Sequence, residues 1–120
     1  MSITFSRYEN EPTAGFQPSD FTDKQAFTTE DKSELNHFFF AAEDESALAG
    51  VWECAPCKEV IDSYPVNEMM TVIKGSVTVT DSNSGSSDTF KKGDSFFIPK
   101  GTSCVWEITE TLRKYYFISA

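Results

Sequence analysis

The chain has 120 residues, which is enough for one domain with one hydrophobic core. Hydrophobic residues make up 39% of it and aromatic residues 14%, so the composition excludes a disordered chain. The formal net charge of −9 disfavours nucleic acid and anionic membrane as partners, because both are negatively charged. No basic segment followed by an apolar one opens the sequence, and no apolar run approaches the ~18 residues that cross a bilayer.

Three cysteines are present, so at least one lacks an intrachain disulfide partner. This count and the absence of a signal peptide predict a cytoplasmic protein. The segment Cys54-Ala55-Pro56-Cys57 has the spacing of thiol redox sites, but it joins two predicted strands instead of opening a helix. A zinc site would need more ligands than these two cysteines and the distant His37 supply. Buried structural cysteines are the favoured interpretation, and a thiol redox protein is the alternative.

Residues 1–35 are polar and irregular, with turn-forming groups such as Glu11-Pro12 and Gln17-Pro18-Ser19-Asp20. Four spaced aromatic residues offer anchors to a core, namely Phe5, Phe16, Phe21 and Phe27. We predict an arm that packs on the main domain or on a partner subunit. Because exposed strand edges need covering and the arm could pair across subunits, we also predict a homodimer.

From residue 36 onward the pattern predicts many short strands separated by Gly, Pro, Asn and Asp turns. The expected strands cover residues 37–42, 47–53, 58–64, 69–73, 76–80, 89–90, 96–98, 105–109 and 114–118. The clearest is Ser-Val-Thr-Val-Thr at 76–80, whose strict alternation suits a strand with one buried face. Gly75 is expected to form a tight turn between two strands. This pattern indicates an all-β sandwich or barrel over residues 36–120.

Two motifs make the fold more specific. Glu68 is followed after six residues by Gly75, and Gly93 is followed by Pro99, Gly101 and Cys104 at intervals of five, one and two residues. In this order the motifs resemble the two sequence motifs of the cupin superfamily. The resemblance implies an all-β, double-stranded β-helix of the RmlC-like jelly-roll type. The segments Gly50-Val51-Trp52-Glu53 and Val105-Trp106-Glu107 make residues 36–120 similar to the ureidoglycine aminohydrolase-type cupins.

The resemblance also implies where a metal would bind, and here the sequence departs from the family. Of the four ligand positions, only Glu68 keeps the expected residue. The two histidines of the first motif fall on Asp62 and Tyr64, or on Ile61 and Ser63 with the longer spacer, and the histidine of the second motif becomes Cys104. Glu68, Tyr64 and Cys104 remain weak metal candidates. Because mixed oxygen and sulfur ligands bind most metals less well than imidazoles do, we predict no strongly bound transition metal, although a divalent metal at a degenerate site stays possible.

The barrel geometry that the resemblance implies directs several residues towards an interior pocket. The pocket candidates are Tyr64, Glu68, Cys104, Trp106, Asp62, Trp52 and Lys114. Structural roles are equally compatible with Tyr64 and Asp62, and Cys104 is alternatively a small buried hydrophobe. For Lys114, the alternatives are an inward ion pair with Glu53 or Glu107 and a solvated edge.

The predicted function is binding of a small-molecule metabolite in the barrel pocket. By resemblance, an enzyme of this kind would carry out hydrolysis or lyase chemistry on a small nitrogenous or carboxylic metabolite. The alternative function is a non-catalytic ligand-binding or sensor module without metal.

Overall fold

Residues 5–120 are described by a computed structural model. They form eight β-strands, in which buried and exposed side chains tend to alternate. The strands are β1 Gln17–Pro18, β2 Glu34–Ala41, β3 Ala47–Cys54, β4 Cys57–Ile61, β5 Asn67–Asp81, β6 Ser87–Lys91, β7 Ser95–Ile98 and β8 Cys104–Ser119. One short 3-10 turn spans Lys24–Ala26. Within residues 5–120, no helix is long and apolar enough to cross a membrane.

All strand pairings are antiparallel, and the order β1-β2-β3-β8-β5-β6 describes the main path through the sheet. In addition, β4 pairs with β8 and β7 pairs with β5. The long strand β5 therefore pairs with β6, β7 and β8, and the long strand β8 pairs with β3, β4 and β5. Their inward side chains form one hydrophobic core around Met70, Val72, Ile108 and Leu112. The predicted all-β jelly-roll fold is confirmed.

Four of the predicted strands are parts of two longer strands. Residues 69–73 and 76–80 belong to the single strand β5, and residues 105–109 and 114–118 belong to the single strand β8. Gly75 is not a turn between strands. It lies in β5 with a φ of +76°, where the register between β5 and β8 shifts. The sequence shows that glycine is needed here, but it does not distinguish a turn from a bulge because both use positive φ.

Gly75→Ala is expected to lower the free energy of unfolding by more than about 2 kcal/mol. A Cβ atom at Gly75 would lie 2.8 Å from the Glu110 carbonyl oxygen and even closer to that of Thr111, in addition to the strain of positive φ. Gly85 is the matched control, because its φ is +77° and no atom lies within 4 Å of a Cβ built on it. Urea unfolding of both alanine variants measures the difference. Equal losses would show that Gly75 is not tightly packed against β8.

Residues of the predicted arm lie against the barrel of the same chain. The Tyr8 hydroxyl donates to the Tyr116 carbonyl oxygen at 2.9 Å, and Arg113 binds the Glu11 carboxylate at 2.7 Å. The Arg113 guanidinium also stacks over the Phe16 ring, 5.0 Å from its centroid. The short strand β1 extends the sheet by pairing with β2. The division into an arm and a cupin domain stays a prediction, and the first four residues of the arm lie outside the described residues.

An apolar stripe crosses the outer face of five strands. Cross-strand pairing aligns Phe40 with Ala49, Ala49 with Phe117, Phe117 with Met69, and Met69 with Phe97. The four large side chains of this stripe are exposed. Exposed apolar surface of this kind is common at protein interfaces, but the predicted homodimer stays a prediction.

Candidate functional site

A cavity of about 370 Å³ lies between the inward faces of β2, β3, β4 and β8 and the start of β5. Most of its wall is apolar or aromatic, including Phe21, Phe38, Leu48 and Ile61. Five of the seven predicted pocket residues line it, namely Trp52, Tyr64, Glu68, Trp106 and Lys114. Residues that are tens of positions apart in the sequence therefore meet in one cavity.

Three of these residues form a buried hydrogen-bonded group, which we call the Tyr64–Glu68–Lys114 triad. The Tyr64 hydroxyl donates to one Glu68 carboxylate oxygen at 2.6 Å, and the Lys114 ammonium donates to the other at 2.7 Å. The side chains of Glu68 and Lys114 are only 7% and 6% exposed. Burial raises the pKa of the Tyr64 hydroxyl well above its ordinary value, and the Glu68 charge raises it further. Tyr64 therefore keeps its proton at neutral pH.

The Lys114 ammonium is surrounded by aromatic rings as well as by Glu68. Its nitrogen lies 4.8 Å from the Trp52 ring centroid, 4.9 Å from that of Trp106 and 5.9 Å from that of Tyr116. The sheet register explains this arrangement, because Trp52 of β3 is the direct cross-strand neighbour of Lys114 of β8. The negative faces of aromatic rings attract a cation, so these rings add to the attraction between the Lys114 ammonium and Glu68.

The second motif positions Tyr64 through its backbone. The Tyr64 N–H donates to the Thr102 carbonyl oxygen at 2.8 Å, and the Gly101 N–H donates to the Tyr64 carbonyl oxygen at 2.8 Å. Gly101 has a φ of +91°, which glycine adopts without strain. The Pro99-Lys100-Gly101 turn thus supports the triad without contributing a side chain to it.

Tyr116 and Asn36 form a second polar contact in the cavity wall. The Tyr116 hydroxyl donates to the Asn36 side-chain oxygen at 2.6 Å. The Tyr116 ring passes over Gly50, since a Cβ atom there would lie 2.7 Å from the ring carbon that carries the hydroxyl. Both polar groups line the cavity.

Glu34 connects the arm to the barrel. Its buried carboxylate accepts from the Ser19 hydroxyl at 2.6 Å, from the backbone N–H groups of Phe21 and Thr22 at 2.9 Å, and from the Trp52 indole at 3.1 Å. Burial acts to raise the pKa of Glu34, but these hydrogen bonds outweigh it and hold the pKa below the usual value. Because Phe21 and Thr22 line the cavity, Glu34 fixes part of its wall.

Glu59 is a second carboxylate on the cavity wall, but its surroundings differ. It accepts one hydrogen bond, from the Asp23 N–H at 3.3 Å. Among residues 5–120, no lysine, arginine or histidine lies within salt-bridge distance of it. Burial raises the pKa of Glu59, and the charges of Glu34 and Asp23 raise it further. Such a group is a candidate for ligand contact.

The other two predicted pocket residues lie elsewhere. Asp62 is exposed, and its carbonyl oxygen accepts from the Ser103 hydroxyl at 2.5 Å. Cys104 is fully buried in the core and does not line the cavity, and burial raises the pKa of its thiol. Lys114 forms its ion pair with Glu68 and not with Glu53 or Glu107. Arg113 instead forms an ion pair with Glu53 at 3.0 Å. The alternation along β8 directs Lys114 inward and Arg113 to the opposite face.

Cys54 and Cys57 form no disulfide and are fully buried. They pair with Leu112 and Ile108 on β8, so Ala55 and Pro56 carry the chain from β3 to β4 along the same neighbouring strand. Contact with Cys57, together with burial, raises the pKa of the Cys54 thiol far above its usual value. The full burial of both thiols supports a structural role, and a redox role stays an untested alternative.

The residues of the cavity do not fit a metal ion. Across residues 5–120, no group of three or more His, Cys, Asp or Glu side chains is close enough to hold one. Both oxygens of Glu68 already accept hydrogen bonds, and one of the donors is the fixed cation of Lys114. A divalent cation bound to the same carboxylate would be repelled by this ammonium.

Among the polar residues of the site that were not predicted as pocket residues from the sequence are Glu34, Asn36, Glu59 and Tyr116. Asn36 and Tyr116 alternate correctly with Phe38 and Lys114, so the period of two could have found them once the inward face was known. Glu34 and Glu59 look like ordinary surface acids in sequence, since their burial depends on the arm folding over them.

An all-β jelly-roll barrel with an interior cavity, lined by Glu68 of the first motif and by Trp106 just after the second, is typical of a cupin. The chain belongs to the family of EutQ-like cupin domains, whose sequence model matches residues 41–116. No curated protein matches the chain in sequence. The similarity to ureidoglycine aminohydrolase-type cupins is not confirmed.

Solved structures of similar fold agree with this family. A protein of unknown function from Pseudomonas syringae has a TM-score of 0.78 and 24% identity over 93% of this chain and 52% of its own. The chain thus spans about half the length of that protein. The Clostridium difficile EutQ protein has a TM-score of 0.65 and 20% identity over 86% of this chain and 79% of its own. An acetylacetone dioxygenase from Acinetobacter johnsonii has a TM-score of 0.67 and 11% identity over 99% of this chain and 77% of its own. At these identities the likeness concerns the fold.

Proposed function

We propose that this protein is a cupin that binds a small, largely apolar metabolite in its barrel cavity without a metal ion. One observation carries the proposal. The cavity has aromatic walls around a buried Tyr64–Glu68–Lys114 triad whose polar groups already satisfy one another. The volume of about 370 Å³ falls within the range of small-molecule sites.

The triad supports binding more directly than metal-assisted catalysis. In the ureidoglycine aminohydrolase-type cupins that carry the activity, catalysis depends on a metal, and the donors around Glu68 do not fit one. The triad instead forms a fixed, internally paired polar group in a largely apolar cavity wall. A reversible ligand-binding or sensor module is therefore the function that we favour, and a small-molecule enzyme is the alternative.

The tryptophans allow a direct test of the proposed function. The chain has only two, Trp52 and Trp106, and both line the cavity. We expect small aromatic metabolites that bind to raise the melting temperature and to change the tryptophan fluorescence with the same concentration dependence. Elemental analysis of untagged protein should show a metal-to-chain ratio far below one.

Neighbouring residues of β4 provide matched variants. Ile61→Phe adds bulk to the cavity and should abolish binding, whereas Val60→Phe adds the same ring at an exposed position on the opposite face and should retain it. Stoichiometric metal, or a ligand that still binds to Ile61→Phe with unchanged affinity, would contradict the proposed function.

A further inference from the structure

We propose that the ligand of this cavity carries an ammonium or similar cationic group, held between the Glu59 carboxylate and the Trp106 ring. This inference rests on the proposed function and adds the chemical class of the ligand. It depends on the charge of the cavity wall, on the position of Glu59 and on the aromatic groups beside it.

The cavity wall carries an excess of negative charge. Its charged residues are Glu45, Glu59, Glu68 and Lys114. Lys114 is neutralised by Glu68 at 2.7 Å, so the ammonium that an anionic ligand would need is already paired. Glu45 and Glu59 remain without a salt bridge among the described residues. A cationic ligand would therefore meet attraction, and an anionic one repulsion.

Glu59 has little other compensation for its charge. The Asp23 N–H donates to it at 3.3 Å, and no side chain among residues 5–120 donates to it. The charges of Glu34 and Asp23 repel it. Glu34 contrasts with it, because four donors satisfy that carboxylate. A charged group that is partly desolvated and unpaired gains more from a ligand cation than a fully hydrogen-bonded one does.

Trp106 supplies the second half of the proposed site. It is the direct cross-strand partner of Glu59 in the pairing of β4 with β8, and both side chains line the cavity. The Trp52 ring meets it edge to face at a centroid distance of 6.3 Å. The same two indoles already hold the Lys114 ammonium at 4.8 and 4.9 Å, which shows that this wall accommodates a cation.

Three probes that share one ring test the ligand class, namely benzylamine, benzyl alcohol and benzoate. At neutral pH they present a cation, a neutral hydroxyl and an anion. By calorimetry on the full chain we expect benzylamine to bind about tenfold more tightly than benzyl alcohol, and benzoate to bind most weakly.

Glu59→Gln should reduce the benzylamine affinity to that of benzyl alcohol while leaving the benzyl alcohol affinity unchanged. The unchanged neutral probe shows that the cavity is intact. Because the raised pKa means that the Glu59 charge costs stability at neutral pH, this variant should not melt below the wild type. Glu107→Gln is the matched control, since Glu107 follows Trp106 on the opposite face of β8 and does not line the cavity.

The outcomes separate the two proposals. Benzyl alcohol or benzoate binding as tightly as benzylamine, or an amine preference that survives Glu59→Gln, would overturn the cationic ligand and leave the apolar binding function standing. An equal loss of preference in Glu107→Gln would also overturn it, because the effect would then be the net charge of the protein. If none of the three probes binds, the proposed function fails, and the inference that rests on it fails too.

Discussion

Lys114→Met is expected to lower the free energy of unfolding by about 3–5 kcal/mol, the largest effect that we predict for a single substitution. Methionine keeps the length and the apolar stem of the side chain, but it removes the ammonium that binds Glu68 at 2.7 Å. The Glu68 carboxylate would stay buried with only the Tyr64 hydroxyl as a partner. An unpaired buried charge costs far more than the loss of a surface ion pair. Chemical denaturation at neutral pH measures the change.

Glu68→Gln tests the other half of the pair. This substitution leaves the Lys114 ammonium without a counter-charge. If Glu68 has a structural role, the free energy of unfolding should fall by about 1–3 kcal/mol. The double variant Glu68→Gln, Lys114→Met contains no buried charge at this position. We therefore expect the double variant to lose less free energy of unfolding than the two single variants lose together. A double-mutant cycle would detect this difference.

Lys74→Met is the matched control for the lysine. Lys74 lies 3.8 Å from Glu53 with a side chain that is 60% exposed, so solvent screens the pair. Replacing Lys74 by methionine should lower the free energy of unfolding by less than about 1 kcal/mol. Similar losses for the Lys114 and Lys74 variants, or strictly additive losses in the cycle, would show that the Tyr64–Glu68–Lys114 triad does not act as a buried unit.

Glu34→Ala is expected to lower the free energy of unfolding by about 3 kcal/mol and to release the arm from the barrel. The substitution leaves the buried N–H of Thr22 and the Trp52 indole without their acceptor. Limited proteolysis should then cut the chain between residues 19 and 33 in the variant but not in the wild type. Glu30→Ala, an exposed position in the same arm, should change neither the stability nor the cleavage pattern.

The contribution of Glu34 should also depend on pH. Its pKa is lowered in the folded protein, so between the folded and unfolded pKa values the unfolded state binds more protons than the folded state. The stabilisation is therefore complete above the ordinary pKa of a glutamate and is lost as the pH falls through the lowered value. The difference in stability between wild type and Glu34→Gln should shrink in acid over this range. A difference that is constant from neutral pH into acid would contradict the role of the charge.

Residue placement in the cavity could be predicted only in part. Glu68 and Trp106 were found because the two motifs and the period of two define inward positions of β5 and β8. Cys104 was placed in the pocket by its motif position, yet its thiol is buried in the core and does not line the cavity. Lys114 was identified, but not its partner, because the choice between Glu53 and Glu68 depends on which face of β8 each neighbour occupies.

The all-β class, the cupin motifs and most of the strands could be predicted from the amino-acid sequence, since these depend on local alternation and on turn residues that act within a few positions. The continuity of β5 and β8 past Gly75, the pairing of Lys114 with Glu68, the place of Glu59 in the cavity wall and the support that Glu34 gives to that wall became clear only in the folded protein. These features depend on side chains that are up to 46 residues apart in sequence, such as Glu68 and Lys114. Their contacts form only when the sheet closes and the arm covers it, so no local pattern records them.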